Sequence, residues 1–390
     1  MTSHPYKELP DTCFWRRSVA SMPPENIDPV IKFKLKIDPS HKVATAGSCF
    51  AQHIARHLRN SGFNYYIAEN GHPLLSQDVR DQSHYGVFSA RYGNVYTARQ
   101  LLQLFDRAHG DFEPSEPVWR LPNGRVVDPF RPTIEPGGFI NEGELLADRR
   151  QHLACVKRLF SELDVFVFTL GLTECWRSKA DGAVFPICPG VEGGEFDPSR
   201  HEFYNQTASD VIKDFRLFAT KLREVNPKSE IVITVSPVPL AATARSGMHV
   251  LTATTYSKAV LRVAADSIRT KSIRGIHYFP SYEIVTSMAT RGRYFAEDLR
   301  NVTEEGVSHV MRVFMKHATN SKQKPLSKPP ALDETKSDSF LASMQHFVEV
   351  ECDEIALDKP GSEPSSVPYV SSDADKVSTS IRVRKPRRRR

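Results

Sequence analysis

The stretch Lys42-Val-Ala-Thr-Ala-Gly-Ser-Cys-Phe-Ala-Gln-His53 decides the expected fold. Its first five residues form a short and almost uniformly apolar run, which is typical of a strand buried on both faces of a parallel sheet. Gly47 then permits a tight turn. Apolar residues recur every four positions at Phe50, Ile54 and Leu58, which predicts a helix. Strand, turn and helix in this order predict a βα unit.

Similar units follow along the chain. Three more short apolar runs are each followed by Gly, Ser or Pro, and they predict strands at Val165–Leu170, Ile231–Val235 and Gly275–Phe279. Helical periodicity precedes the last two runs, at residues 211–222 and 251–268. Alternating strands and helices predict an α/β fold, a three-layer doubly wound parallel sheet with right-handed crossovers. Functional side chains should gather at the carboxyl ends of its strands.

Composition divides the chain into three parts. Residues 1–40 are rich in proline and charge and are expected to form an N-terminal extension, and residues 41–318 are expected to form the α/β domain. Within the domain, Gly110–Ile140 and Asp181–Tyr204 are long and rich in proline and glycine, which indicates loop insertions at the rim of a site. Residues 319–390 are polar, and we expect a mostly disordered tail with one short helix within residues 340–357.

The positive charge of the protein is concentrated at its end. The 390 residues carry a formal net charge of +6, but seven Lys and Arg residues lie within residues 381–390. Without these seven the charge is −1, so the body lacks the broad basic face that nucleic-acid binding needs. The Arg-rich run could bind an anionic partner, or it could be a solvated charge run.

Other classes of protein find little support. The six cysteines lie far apart, without the spacing of a zinc site or of a disulfide framework, and the histidines are scattered, so we expect no metal. No Walker motif or dinucleotide fingerprint follows a strand, so we expect no cofactor. No apolar run approaches the ~18 residues of a membrane span, and no signal peptide is visible, so we expect a cytoplasmic protein.

Ser48 is the leading candidate for chemistry because it lies between the first strand and its helix. The unpaired N–H groups and the dipole of a helix N-terminus can stabilise the oxyanion that forms when a serine attacks an ester carbonyl. The alternative is a serine N-cap, which stabilises a helix by about 1 kcal/mol. The local pattern alone does not distinguish a nucleophile from a cap.

Several motifs in one order resemble the GSCFA family, which is similar to the SGNH/GDSL hydrolases. They cover roughly residues 40–315 and comprise Gly47-Ser-Cys-Phe-Ala51, Arg91-Tyr-Gly-Asn-Val-Tyr-Thr-Ala-Arg-Gln100, Thr169-Leu-Gly-Leu-Thr-Glu-Cys-Trp176, Ser236-Pro-Val-Pro-Leu240, Ser257-Lys-Ala-Val-Leu-Arg262 and Tyr294-Phe-Ala-Glu-Asp-Leu-Arg300. The resemblance implies an SGNH hydrolase-like, flavodoxin-like fold. It also implies an acyl-ester hydrolase or acyltransferase that acts on acylated carbohydrate or another small ester.

The resemblance assigns roles to residues of the first half of the domain. Ser48 matches the nucleophile, and Gly93 or Asn94 matches the second-block oxyanion donor, although Gly-Asn can also be a simple turn. The third block falls on Gly171-Leu-Thr-Glu174, where the usual asparagine is absent. Thr173 can donate one proton, whereas an ionised Glu174 can only accept. Glu174 could bind a sugar hydroxyl, orient a base or pair with Arg177.

The last block departs from the family's catalytic pattern. An aspartate three residues before a histidine should orient the imidazole that deprotonates the serine. This chain has Asp298 in the first place but Asn301 in the second. An asparagine amide cannot accept the proton near neutral pH.

Three explanations of Asn301 remain open. Another histidine could be the base, with His249 and His277 as candidates and His53 one turn along the nucleophile's own helix. Cys49 could be the nucleophile, since a thiolate is favoured near a helix N-terminus. Finally, Asn301 could mark a loss of hydrolysis, which would leave a non-catalytic glycan-binding or scaffolding protein.

Overall fold

The computed structural model describes residues 4–48, 50–270 and 274–320, together with residue 357. Cys49, the predicted helix within residues 340–357 and the Arg-rich run at residues 381–390 therefore lie outside the described residues, apart from Leu357. The same holds for the predicted disordered tail beyond Asn320.

Helices separate the strands of the central sheet along the described chain. The strands are β1 (Val43–Gly47), β2 (Trp119–Arg120), β3 (Val126–Val127), β4 (Val165–Leu170), β5 (Glu174–Ser178), β6 (Val184–Phe185), β7 (His201–Asn205), β8 (Glu230–Val235) and β9 (Ile276–Tyr278). The helices are α1 (Phe50–Asn60), α2 (Gln77–Gln82), α3 (Ala98–His109), α4 (Glu142–Glu162), α5 (Ala208–Val225), α6 (Val250–Thr270), α7 (Ser281–Thr286) and α8 (Glu304–Ala318). The four predicted strands correspond to β1, β4, β8 and β9.

The central sheet is parallel and confirms the predicted fold class. Within the described residues its strand order is β1-β4-β8-β9. Gly47 pairs with Thr169 at the carboxyl end of β1, and Thr169 pairs with Thr234 of β8. On the outer side of β1, Tyr65 forms a single parallel bridge with Val43, so a rudimentary strand occupies that edge.

Helices cover both faces of the sheet because side chains alternate along each strand. Phe166, Phe168 and the other alternate residues of β4 and β8 pack with apolar side chains of α3, α4, α5 and α6. Val165 and Val167 point to the other face, where they pack with α1, α7 and α8. Apolar side chains line both faces, as the uniformly apolar strand sequences predict.

Two small antiparallel sheets lie within or beside the loop insertions. Strands β2 and β3 pair within the first insertion, and β5, β6 and β7 form a second sheet in the order β6-β5-β7. Trp119 of β2 packs against Phe185 of β6, with ring centroids 5.0 Å apart, so the two insertions contact one another. Their role as the rim of a site stays a prediction.

The N-terminal segment contacts α8. Val30, Phe33 and Ile37 join the apolar cluster on that face, and Asp28 accepts a hydrogen bond from Lys316 at 2.7 Å. The helices among the described residues are all too short or too polar to cross a bilayer.

Gly47 lies where two strands meet too closely for a side chain. Its φ is +137°, which L-residues rarely adopt, and an added Cβ would lie 2.4 Å from the carbonyl oxygen of Thr169. A glycine is therefore required at this point, and it brings the end of β1 directly against β4.

A buried charge cluster holds the loop of residues 92–96, which follows Arg91. Its members are buried or half-buried and comprise Glu69, Arg91, Arg107, Asp128, Arg131, Glu135, Asp148, Arg149 and His152. Glu69 accepts the backbone N–H of Arg91 at 2.7 Å and contacts the ring of His152 at 2.8 Å. The Arg91 guanidinium pairs with Asp148 at 2.9 Å and with Glu135 at 3.1 Å. These bonds fix the entry to the 92–96 loop.

Replacement of Gly47 should be far more costly than replacement of an unconstrained glycine. Gly47→Ala should lower the free energy of unfolding by about 2 to 4 kcal/mol, because it combines backbone strain with a steric clash. Gly62→Ala is the control. Gly62 has a φ of +78° but no atom would lie within 4 Å of an added Cβ, so we expect a loss of only about 1 kcal/mol in the free energy of unfolding. Urea denaturation measures both, and equal losses would contradict the close approach of β1 and β4.

The contribution of Glu69 should depend on pH. Burial alone raises the pKa of Glu69, but His152, Arg131 and the Arg91 N–H lower it to about 2. A carboxyl with a lowered pKa stabilises the fold fully above its unfolded pKa, near 4.5, and loses this contribution as the pH falls toward 2.

Wild type should therefore exceed Glu69→Gln in stability by on the order of 2 to 3 kcal/mol at pH 7. This difference should shrink between pH 5 and pH 3 in urea titrations. Glu113→Gln, at an exposed position, should show a small difference that does not change with pH. A Glu69 difference that stays constant over this range would contradict the assignment.

Candidate functional site

Ser48 directly follows β1 and precedes α1. The residue is 4% exposed, and its Oγ makes no hydrogen bond with any described residue. Its own N–H donates to the Thr169 carbonyl at 3.3 Å, and its carbonyl accepts the N–H of Ala51 at 2.8 Å. The side chain therefore does not cap α1, which removes the simplest structural explanation of a serine at this position.

The Ser48 side chain lines a narrow cleft. The cleft is formed by residues that follow β1, β4 and β8, together with one residue of the 92–96 loop: Ser48, Tyr96, Gly171, Leu172, Ser236, Val238, Pro239 and Leu240. This is the carboxyl edge of the central sheet, where ligands of doubly wound proteins bind. The structure thus places Ser48 and Gly171 together.

The 92–96 loop lies between the ends of β1 and β4. The N–H of Val95 donates to the Gly47 carbonyl at 2.9 Å, and the Tyr96 carbonyl accepts the N–H of Gly171 at 2.9 Å. Gly93 has a φ of +68°, so it serves the turn. Asn94 is buried and lines a neighbouring cavity, whereas Tyr96 is the residue of this loop that lines the Ser48 cleft.

The loop after β4 is held from α6. Lys258 is buried, and its Nζ donates to the Gly171 carbonyl at 2.6 Å. The Thr173 N–H donates to Ser257 Oγ at 3.0 Å, and the Thr173 hydroxyl donates to Asn205 at 2.6 Å. Because its proton is directed to Asn205, the Thr173 hydroxyl is not directed at the Ser48 cleft in this structure. Lys258 places an amino group one residue from the cleft lining.

Glu174 connects two loops at the edge of the sheet. Its carboxylate accepts the Thr243 hydroxyl at 2.8 Å and the Ala244 N–H at 3.3 Å. Burial raises the pKa of this carboxyl. Pairing with Arg177, one of the alternatives from the sequence, is wrong: Arg177 donates to Glu202 at 2.6 Å.

Asp298 and Asn301 contact one another rather than the cleft. Asp298 accepts the backbone N–H of Asn301 at 2.9 Å and its side-chain amide at 2.6 Å. Asp298 is exposed and Asn301 is half-buried, and neither belongs to the residues that line the Ser48 cleft. The amide at position 301 thus satisfies the carboxylate that a histidine would contact in a complete triad.

The candidate histidines lie elsewhere. His249 Nδ1 accepts the N–H of Leu251 at 3.1 Å at the start of α6. His277 lies on β9, three strand positions or roughly 14 Å from β1, and its Nε2 is 2.8 Å from the Glu230 carboxylate. Burial lowers the pKa of His53 to about 4, and its Nδ1 has no hydrogen-bond partner among the described residues. None of these histidines belongs to the residues that line the cleft.

Three residues of the site carried no separate signal in the sequence. Tyr96, Ser236 and Lys258 occur within the motifs of the family resemblance, but no role followed from them. Ser236 directly follows a predicted strand, which is the position where the carboxyl-end rule expects a functional side chain. The carboxyl-end rule could therefore have indicated Ser236. Tyr96 and Lys258 are brought to the site by contacts between distant segments, which the sequence pattern does not reveal.

One of three comparisons with known proteins, that with family models, agrees with the motifs. A search of the curated proteins found no match. One of the matching solved structures is a crystal structure named "putative GDSL-like lipase" from Parabacteroides merdae ATCC 43184. It is 14% identical, covers 74% of this chain and 98% of its own, and has a TM-score of 0.28. The GSCFA family model matches residues 42–314, which include β1, α1 and the whole Ser48 cleft. Since this match spans well over half of the sequence, the chain belongs to the GSCFA family.

Proposed function

We propose that this protein is an acyl-ester hydrolase or acyltransferase of the SGNH type, with Ser48 as its nucleophile. The observation that carries the proposal is that the Ser48 hydroxyl has no hydrogen-bond partner among the described residues, in a residue that lines a cleft at the carboxyl edge of the sheet. A buried hydroxyl without a hydrogen bond costs stability, so its presence calls for an explanation other than folding. A nucleophile that awaits a substrate is such an explanation.

The proposed reaction is an acyl transfer in two steps. Ser48 Oγ attacks the ester carbonyl carbon, its proton passes to the leaving alcohol, and the ester C–O bond breaks to leave an acyl-serine. Water or an acceptor hydroxyl then takes the acyl group, and the proton returns to Ser48. Lys258, which donates to the Gly171 carbonyl, is proposed to stabilise the negative charge that develops in the cleft.

Acylated carbohydrate is the proposed substrate class. Glu174 accepts a hydroxyl hydrogen bond from Thr243 at 2.8 Å, which is the interaction that a sugar hydroxyl would make. Tyr96, an aromatic residue, lines the cleft together with Ser48. A cytoplasmic setting is proposed as well, since the four described cysteines, Cys13, Cys155, Cys175 and Cys188, are all free thiols.

A second candidate function is the binding of a glycan without turnover. It is favoured by one observation: Asp298 and Asn301 hydrogen-bond each other, and no imidazole belongs to the residues described as lining the cleft. Under this candidate, the fold keeps its ligand and has lost hydrolysis.

Removal of the Ser48 hydroxyl should abolish ester hydrolysis without harming the fold. Ser48→Ala should lower the hydrolysis rate of p-nitrophenyl acetate by at least about 100-fold. Its stability should match or exceed that of wild type, because Oγ makes no hydrogen bond with the described residues. If Ser48 were an N-cap, Ser48→Ala would instead lower the free energy of unfolding by about 1 kcal/mol.

Ser236→Ala is the matched control for this experiment. Ser236 lines the same cleft, and its hydroxyl accepts the N–H of Val238 at 3.3 Å. We expect its rate to stay within about threefold of wild type, because the proposal gives this hydroxyl no chemical role. Equal rates for wild type and Ser48→Ala would dispose of serine catalysis at this position.

Asn301→His distinguishes the two candidates. If Ser48 is already active through groups at the cleft, the substitution should change the rate by less than about threefold, because residue 301 lies outside the cleft lining. If the protein is a decayed enzyme, an inactive wild type should gain at least about 100-fold, the usual contribution of a general base. Esterase kinetics over pH 6 to 9 measure both outcomes, and a large gain would overturn the first candidate.

A further inference from the structure

A second cavity lies beside the same 92–96 loop. It is lined by residues of that loop, of α3 and of the two insertions: Tyr92, Asn94, Val95, Gln100, Gln103, Leu104, Arg107, Phe130 and Val184. Asn94 and Val95 line this cavity, whereas Tyr96 lines the Ser48 cleft. The loop thus contributes to both cavities, and the second one has no part in the ester chemistry proposed above.

Arg107 is a buried cation without a hydrogen-bond partner among the described residues. The residue is 9% exposed, and its guanidinium carbon lies 4.0 Å from the centroid of the Phe130 ring. None of its side-chain N–H groups donates to a described residue. Burial is the main cause that lowers the pKa of Arg107, to about 10. The positive charges of Arg149 and Arg131 lower this pKa further, whereas the negative charge of Asp128 raises it. The side chain is therefore still charged near neutral pH.

The nearby carboxylate is committed to other arginines. Asp128 is fully buried, and its Oδ2 accepts Arg131 Nε at 3.0 Å and Arg149 Nε at 3.1 Å. Its Oδ1 accepts the N–H of Phe130 at 3.1 Å. Asp128 influences Arg107 through space, but it does not satisfy any of its donors. A buried charge in this position is costly unless something pairs with it.

Gln100 adds a second unused donor to the cavity. Its Oε1 accepts the N–H groups of Tyr96 and Thr97, both at 3.0 Å, as part of the cap of α3. Its Nε2 donates to none of the described residues. The neighbouring Gln103, by contrast, uses both ends of its amide, at 2.8 Å to Gly182 and to Val184. Arg107 and Gln100 therefore present donors, and the ligand that fits them presents acceptors.

We propose that the cavity beside the 92–96 loop is a binding site for an oxyanion, a carboxylate or a phosphate group, held by Arg107 and Gln100. Both groups offer oxygens that match the fork of a guanidinium, and the negative charge neutralises the unpaired cation. Because Phe130 covers one face of the guanidinium, the ligand approaches its edge.

The test is a thermal titration of the full-length protein. Sodium acetate or sodium phosphate replaces sodium chloride at constant ionic strength and pH 7.5, and the unfolding midpoint is followed by fluorescence. The unfolding midpoint of wild type should rise saturably, by about 3 °C when the anion concentration is ten times its Kd. A response to acetate assigns the carboxylate and one to phosphate assigns the phosphate, and either supports the site. The absence of a saturable response to both would overturn it.

Two variants show whether the response belongs to this cavity. Arg107→Met keeps the apolar stem and removes the unpaired charge, so it should lose the response while its midpoint in chloride does not fall. Gln100→Glu keeps the acceptor that caps α3 and places a carboxylate in the cavity, so it should raise the midpoint in chloride and abolish the response. A response that persists in either folded variant would contradict the proposal.

Arg131→Met is the matched control within the buried charge cluster. Arg131 is paired with Asp128 and Asp148, so its loss leaves carboxylates buried without partners. We expect its midpoint in chloride to fall by several degrees, opposite to Arg107→Met. If the unfolding midpoint of Arg107→Met in chloride fell by as much, Arg107 would be a structural cation and the proposal would be wrong.

Discussion

The contact between Gly47 and Thr169 is the constraint on which the site depends. Parallel pairing carries β1 and β4 side by side up to this point, and no side chain fits between them. Ser48 follows the last paired residue of β1, and backbone hydrogen bonds to Thr169 and Ala51 hold it at the edge of the sheet. The 92–96 loop bonds to both strand ends, and it completes the cleft with Tyr96.

Buried charge supports this arrangement from outside the sheet. The cluster around Arg91 and Asp128 pairs nearly all of its members, and it holds the loop through the Arg91 backbone. Arg107 departs from this pattern because its donors have no acceptor among the described residues. The same loop therefore has a nucleophile candidate on one side and an unpaired cation on the other, and both features cost stability without a ligand.

The sequence predicted the central fold well because the signals are local. Strands buried on both faces give uniformly apolar runs, and each of the four predicted runs lies within a residue or so of an observed strand. The position of Ser48 followed from the same strand, turn and helix. The sequence does not exclude the N-cap alternative, since a cap and a nucleophile occupy the same place in a βα unit and differ only in the hydrogen bond that the hydroxyl makes.

Other parts of the site depend on contacts between distant segments. Gln100, Gln103 and Arg107 lie on one side of α3 and resemble a solvent-facing stripe in the sequence, yet all three are buried beneath the insertions. Glu174 was as plausible a partner for Arg177 as for Thr243, 69 positions away, because sequence spacing gives no distance across loops. The pairing of Asp298 with Asn301 was similarly hidden, since the family pattern expects a histidine there.

We propose that Ser48 is a reactive nucleophile and not a buried structural serine. The most direct measurement is treatment of the folded protein with a fluorophosphonate, followed by mass spectrometry of its peptides. We expect a single phosphonylated site at Ser48, with labelling blocked by an excess of a short-chain acyl ester. An unmodified Ser48 peptide in folded protein, or a label that falls on Ser236 or another hydroxyl, would contradict it.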